Sequence, residues 1–513
     1  MSHEIAQPQA AFAPKSPRLA SLLAFLPGYA TLQNGPAFKT FTGFVLAWAV
    51  LFFVLKGLPL PVGMTAAGKA TLAVMAWAAI IWIFEALPVA VSGLLIPMLL
   101  VLSNAIPGLA KAASGFTNPV VFLCLVAFIF SAVMQIAGLD RRIALGILDK
   151  VRVKTVNGLI WTMFGVNLVL CFIVPAANAR AATLLPVVNG LTGFFGDSER
   201  ERNAKKAIVI QTLVYGSMIS GMCILTAHLP NLVLSGLFSS ELKLDISYLN
   251  WLKLQWPYLG MFLLTQWWVQ YYFRTRRLGI PGGQETIQAE QQALPKAGKQ
   301  DKSILIVFGL VAAFWATEQW HKLPTDVIAL LGLAALFTPG LLQIKWKDIQ
   351  DRTMWGTVFL LAGALSISSA ISGTGLAQWL AAQIQSVAQG HPWWGILLIV
   401  MLGTHVIRLG MLSNVAAVTM LAPVLLALAP KLGLHPVAFT MLVADTDSFA
   451  YILPTQITAA VIAYGSGAFS TEDYAKVGVV SVLIAIAYGI IVMAPWYALL
   501  GIPLWNPAAP WPF

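Results

Sequence analysis

Charge is what this sequence has least of. Asp, Glu, Lys and Arg together make up 10% of its 513 residues, against about 25% in a soluble domain. Several cores could absorb a hydrophobic content of 58%, but no aqueous surface is this poor in charge, so much of the surface faces lipid. A soluble enzyme, a disordered tail and a nucleic-acid-binding domain are excluded, despite the formal net charge of +11. An excess of Lys and Arg on a membrane protein marks its cytoplasmic edges instead. Cysteine is scarce as well: Cys124, Cys171 and Cys223 sit in apolar runs without metal-ligand spacing and read as reduced packing residues. Neither HExxH nor GxSxG occurs, which leaves a membrane-embedded enzyme without a catalytic constellation.

Long charge-free runs are present in compensation, at 86–110, 112–139, 155–179, 207–240, 254–273, 353–407 and 477–513. Shorter ones lie at 40–55, 70–84, 303–317 and 327–344. A spanning helix needs about 20 apolar residues, and these runs are too long for barrel strands. The expectation is an all-α polytopic membrane protein of about 11 transmembrane helices. Lys15 and Arg18, the cluster Arg141 to Lys154, the cluster Arg200 to Lys206, and the run from Arg274 to Lys302 would face the cytoplasm. No charge follows Lys476, so the C-terminus is expected on the periplasmic side of a bacterial inner membrane, opposite a cytoplasmic N-terminus. Residues 1–20 show no clear cleavable signal. Residues 140–154 mix charges with Ile143, Leu145, Ile147, Leu148 and Val151, as an interfacial helix does.

The chain also repeats itself. Val121-Phe122-Leu123 returns as Val358-Phe359-Leu360, Gly138-Leu139 as Gly375-Leu376, and Asn178–Pro186 aligns with Val415–Pro423, all at an offset of 237. Leu87-Pro88 and Leu323-Pro324 lie 236 apart. An odd number of spans separates the copies, so they are expected to be inverted, the arrangement of secondary transporters. The division is then 1–56 for a cytoplasmic N-terminus and first helix, 57–280 and 303–500 for the repeats, 281–302 for a solvated cytoplasmic linker, and 501–513 for a non-cytoplasmic tail.

Each copy is interrupted twice. Apolar arms at 159–174 and 179–195 flank Pro175-Ala176-Ala177-Asn178. Each arm makes roughly 25 Å of helix, short of a ~30 Å bilayer core. A re-entrant hairpin with a mid-membrane tip fits, and Leu412 to Val415 forms the matching tip. Further breaks fall at 225–231 and 453–458, where Pro230 and Pro454 suit the first turn of a new half-helix. Half-helix N-termini attract anions, while unwound carbonyls and side-chain oxygens suit a small hard cation. Candidate substrate-binding residues are therefore Ala177, Asn178, Arg180, Ser413, Asn414, Val415, Thr226, His228, Asn231, Thr455 and Gln456. Ser413 and Asn414 are also the candidate sodium ligands; no other cofactor is expected.

These segments resemble the divalent anion/sodium symporter family over roughly residues 40–500. The marks are Trp82-Ile83-Phe84-Glu85-Ala86-Leu87-Pro88, Phe116-Thr117-Asn118-Pro119, Gly138 to Ala144, both tips, and Ala463-Tyr464-Gly465-Ser466-Gly467. The resemblance implies a carrier of small organic anions, homodimeric, with an elevator-like motion. The family's Ser-Asn-Thr triplet survives in part as Ser413-Asn414-Val415, whereas Ala176-Ala177-Asn178 keeps none of it in register. The pattern at 225–232 looks closest to bacterial di- and tricarboxylate (citrate, tartrate, 2-oxoglutarate/malate) exchangers. With sodium-ligating oxygens gone from the first tip, Arg180 is a candidate to neutralise a substrate carboxylate and favour sodium-independent exchange; sodium- or proton-coupled symport is the alternative. His405 and Arg408 are candidates of lower rank. Asp445 and Asp447 are expected to pair with Arg408 or Arg180, and Glu85 to sit at the interface.

Overall fold

The computed structural model describes residues 35–513 apart from 276, 281–282, 295–296, 389 and 412. Lys15, Arg18 and Leu412, named above, and Arg276 and Lys296 within the run from Arg274 to Lys302 lie outside the described residues. Those described are helical, and the isolated bridge between Thr155 and Gly279 is the one strand-type pairing among them. Among the described residues, seven helices are long and apolar enough to cross a bilayer: Phe38–Gly57, Ala66–Phe84, Pro119–Ile136, Glu199–Cys223, Trp355–Gly373, Asn414–Lys431 and Thr471–Leu499. Four apolar helices, Val89–Leu102, Val156–Cys171, Thr325–Leu336 and Trp393–Arg408, are shorter. The expected all-α membrane architecture therefore stands, built from seven full-length spans and these shorter pieces.

Helix starts follow the repeat. Leu139 and Leu376, Val156 and Trp393, Ala177 and Asn414, and Glu199 and Pro436 each open a helix, 237 positions apart. Gly138 and Gly375 both take positive φ (63° and 79°) to turn the chain into the first of these pairs. Leu139–Val151 is the expected amphipathic helix, with Leu139, Leu145 and Leu148 buried. Further on the offset falls to 229: the break turns run Leu225–Ala227 and Pro454–Gln456. Between helix start and break the second copy is thus eight residues shorter: its helix Pro436–Ser448 spans 13 residues where the first copy's Glu199–Cys223 spans 25, and a longer link to the turn makes up the rest.

Two helices cross at backbone contact. A Cβ built on Gly93 would fall 2.2 Å from the Phe359 carbonyl oxygen, and one on Gly363 would fall 2.4 Å from the Gly93 oxygen. Gly115 is as tight against Ala362. Gly93→Ala is expected to cost roughly 1–3 kcal/mol by overpacking, read as a lower melting temperature in detergent. A Gly93→Ala protein that melts with the wild type would refute this crossing.

The expected linker is not simply a solvated loop. Gly283–Gln292 is a helix, rich in the helix formers Gln, Glu and Ala. It buries Ile287 and pairs Glu290 with Arg141 on the amphipathic helix. Elsewhere Lys206 and Asp473 join the two copies at 3.0 Å. All three cysteines are unpaired and buried.

Candidate functional site

The hairpin arms start slightly earlier than their apolar runs suggest. The first hairpin folds as Val156–Cys171 and Ala177–Thr192, the second as Trp393–Arg408 and Asn414–Lys431. Thr155 caps the first arm by accepting from the Gly158 amide, and Ser413 caps Asn414–Lys431 by accepting from Ala416 N at 3.3 Å. Ala176 stands at the matching N-cap without a side-chain acceptor. The two breaks share one backbone form: a single 3-10 turn between extended residues, Ile224 and His228 in one copy, Leu453 and Ile457 in the other. New helices then start at Leu229 and Thr458.

These four interruptions meet around one cavity of about 610 Å³. Its wall takes Ala176, Ala177 and Asn178 from the first tip and Ser413, Asn414 and Val415 from the second. His228, Leu229 and Pro230 come from one break, and Ile457, Thr458 and Ala459 from the other. Four helix N-termini therefore converge on the same space. First-turn amides have no acceptor within their own helix, although Pro230 offers none at the third terminus and the fourth opens a helix of only seven residues; the longer helices carry a partial positive charge at their starts. The remaining wall, from Thr40, Ile81, Trp82, residues 85–89, Met218, Met354, Thr357 and Leu360, is largely apolar. Glu85 is exposed at its rim in a left-handed conformation (φ 50°).

Six of the eleven candidate ligands reach this wall: Ala177, Asn178, His228, Ser413, Asn414 and Val415. The other five lie off this wall. Asn231 donates to the carbonyls of Gly221, Met222 and Ile224 at 3.0–3.3 Å, which holds the first break rather than a solute. Thr226 is buried against the Tyr248 hydroxyl at 3.5 Å. Gln456 accepts from Leu453 N at 2.7 Å and donates to the Arg408 carbonyl at 3.0 Å. Thr455 is exposed away from the cavity wall.

Arg180 also lies off this wall. Its guanidinium donates to the carbonyls of Val174 (2.8 Å), Ala227 (3.0 Å) and Ser217 (2.6 Å). Arg408 makes the matching set in the other copy: Met411 O at 3.1 Å, Gln456 O at 3.0 Å, and Asn414 Oδ1. It also lies 3.6 Å from Asp447, and both side chains are fully buried. The expected pairing of Asp447 thus holds, while Asp445 accepts from Gln255 at 2.7 Å instead. Because Asn414 Oδ1 receives Arg408 and Ser413 Oγ receives an amide, the proposed sodium ligands already face donors. His405 is occupied with the Met401 carbonyl.

His228 bridges the copies. Asn231 and Asn414 are each oriented by carbonyls that accept from their Nδ2 groups. Asn414 Nδ2 therefore donates to His228 Nε2 (3.3 Å), and His228 Nδ1–H donates to Asn231 Oδ1 (3.3 Å). That pattern requires a neutral imidazole in one tautomer.

Residues 39–503 match the family described as the sodium:sulfate symporter transmembrane region. A membrane protein of Cupriavidus necator is 30% identical over 481 residues, covering 90% of this chain and 93% of its own. The sodium-dependent dicarboxylate transporter SdcS of Staphylococcus saprophyticus is 27% identical, covering 75% and 78%. Among solved structures, the Neisseria gonorrhoeae efflux pump MtrF aligns with TM-score 0.55 at 14% identity, over 96% of this chain and 99% of that one. The Alcanivorax borkumensis YdaH transporter aligns with TM-score 0.50 at 16% identity, over 78% and 89%. These last two are likenesses of fold.

Proposed function

Because the chain belongs to the sodium:sulfate symporter family, and so is a multi-pass membrane transporter rather than an enzyme, we propose that it carries small di- or tricarboxylates by alternating access, exchanging one anion for another. The observation that carries this reading is the convergence of four helix N-termini on one cavity. Oriented amides and dipoles bind an anion without a mobile counter-ion, and the apolar wall from Ile81 to Leu360 suits the carbon skeleton between carboxylates. Alternating access follows from inverted repeats spanning 57–280 and 303–500, joined through 281–302 and moving as a transport domain against a scaffold in a homodimer. In the inner membrane the N-terminus is cytoplasmic and the C-terminus periplasmic. A second reading, sodium-coupled symport, has support from the names of the staphylococcal relatives.

Counterflow in liposomes tests the reading. Vesicles loaded with unlabelled succinate, citrate, 2-oxoglutarate or sulfate are expected to accumulate the labelled form of at least one carboxylate, and empty vesicles are not. Equal uptake into empty vesicles contradicts exchange, and no uptake of any anion contradicts the carrier reading.

A further inference from the structure

Two carboxyl groups lie buried on one helix of the second copy, and among the described residues only one of them has a counter-charge. Asp445 and Asp447 both belong to Pro436–Ser448. Asp447 faces Arg408, whereas Asp445, 1% exposed, takes part in no ion pair among the described residues. Its Oδ2 accepts from Gln255 Nε2 at 2.7 Å. Its Oδ1 has no partner, and neither has Oε1 of the fully buried Gln255. The first copy offers no counterpart: 237 positions earlier stands Ile208.

The surroundings make an ionised Asp445 costly. Cys223, Tyr258 and Tyr497 stand within electrostatic reach of its carboxyl. All three are weak acids, which can gain only negative charge and so offset none, and neither of these two tyrosine hydroxyls has a partner. Tyr488 donates to the Pro257 carbonyl instead. On the hairpin arm packed against the same helix, His405 is engaged with Met401 and Arg408 with Asp447. A buried carboxylate with no cation, and with one oxygen lacking a donor, is far more costly than the neutral acid. One proton on Oδ1 removes the charge and supplies a donor. Oδ1 then donates to Gln255 Oε1 while Oδ2 keeps the Gln255 amide, the two-point pairing in which a carboxylic acid complements a primary amide. The two oxygens without partners are thereby matched to each other.

We propose that Asp445 is a proton-binding site: the folded protein holds it as a neutral carboxylic acid, its proton placed between Oδ1 and Gln255 Oε1, and this pair fastens the second copy to the first. Gln255 closes the first-copy helix Tyr248–Gln255, and its carbonyl accepts from Cys223 Sγ at 3.3 Å, where the long helix of that copy ends at its break. Asp445 lies three residues before Ser448, whose carbonyl accepts from Asn414 of the cavity wall. The pair thus joins the two segments that lead into the breaks, and neither of its members lines the cavity. The proton belongs to the fold rather than to the solute carried, so the inference stands apart from the carrier reading.

Unfolding as a function of pH tests this. Below the ordinary aspartate range, about pH 4, folded and unfolded chains both hold the proton. Above it the unfolded chain releases the proton and the folded one keeps it, so the folded state loses ground as pH rises. Asp445→Asn keeps both hydrogen bonds and cannot ionise. Relative to that variant, the unfolding constant of the wild type in detergent is expected to rise about tenfold per pH unit from there toward neutrality. A constant gap between the two proteins over that range overturns the proposal. Infrared spectra at neutral pH give an independent reading. The carbonyl band of a protonated carboxylic acid is expected in the wild type, lost in Asp445→Asn, and shifted in Gln255→Leu, which removes the pairing. A wild type without such a band, a band undiminished in Asp445→Asn, or one unmoved by Gln255→Leu overturns it. Should Asp445→Asn not fold, the response to Gln255→Leu decides.

Discussion

Arg408→Ala is expected to destabilise the protein by roughly 3–5 kcal/mol, the cost of removing one partner from a buried ion pair. The substitution strips donors from the second tip at Met411 O, from Asn414 Oδ1 and from the break at Gln456 O. It also strands Asp447, whose oxygens have no hydrogen-bond partner and whose counter-charge among the described residues is Arg408. Asp447→Asn in the same chain should recover part of the loss, because the stranded charge is then gone. Melting of the four proteins of this double-mutant cycle in detergent measures the coupling. An Arg408→Ala protein that melts with the wild type shows that the guanidinium does not hold tip and break together.

Ala177→Asp is expected to lower anion exchange by about 100-fold or more while leaving the fold intact. Position 177 is the first residue of the helix Ala177–Thr192 and lies in the cavity wall. A carboxylate there favours the helix, by about 0.3–1 kcal/mol, through the dipole. For an arriving dianion the same group is a like charge at close range, worth several kcal/mol of repulsion. The uncharged Ala177→Asn, similar in shape, should retain most of the exchange. Undiminished counterflow through Ala177→Asp places the anion elsewhere.

Much of this was legible in the residues. Proline, asparagine and small side chains inside apolar runs located both tips and both breaks, since each disrupts a helix ladder for a reason visible in its own chemistry. The 237-residue offset, found from short matches such as Gly138-Leu139, relates four pairs of helix starts to the residue, although the first hairpin's arms begin two or three residues before their apolar runs. Harder to see was what the interruptions hold. Arg180 read as an anion ligand because an intramembrane cation invites that role; its actual partners, the carbonyls of Val174, Ser217 and Ala227, belong to every residue alike and leave no trace in sequence. The kinship of Arg180 and Arg408 was hidden for the same reason, since the arginines are out of register and only their acceptors correspond. Asn231 and Gln456 misled similarly: polar groups beside a break serve its backbone first. The wall contributed by Met354, Thr357 and Leu360 gave no signal, because apolar residues in a span look the same whether they meet lipid, protein or a cavity.

The eight-residue shortfall of the second copy reaches beyond packing. Two equal halves would leave an inverted carrier with no preference between its two orientations, since each is the mirror of the other by exchange of halves. Shortening the helix before the break from 25 to 13 residues in one half alone, about three turns, lifts that degeneracy. In the proposed alternating-access cycle one orientation is then the resting one, and the apparent affinity for the same anion is expected to differ when measured from the two faces of the membrane.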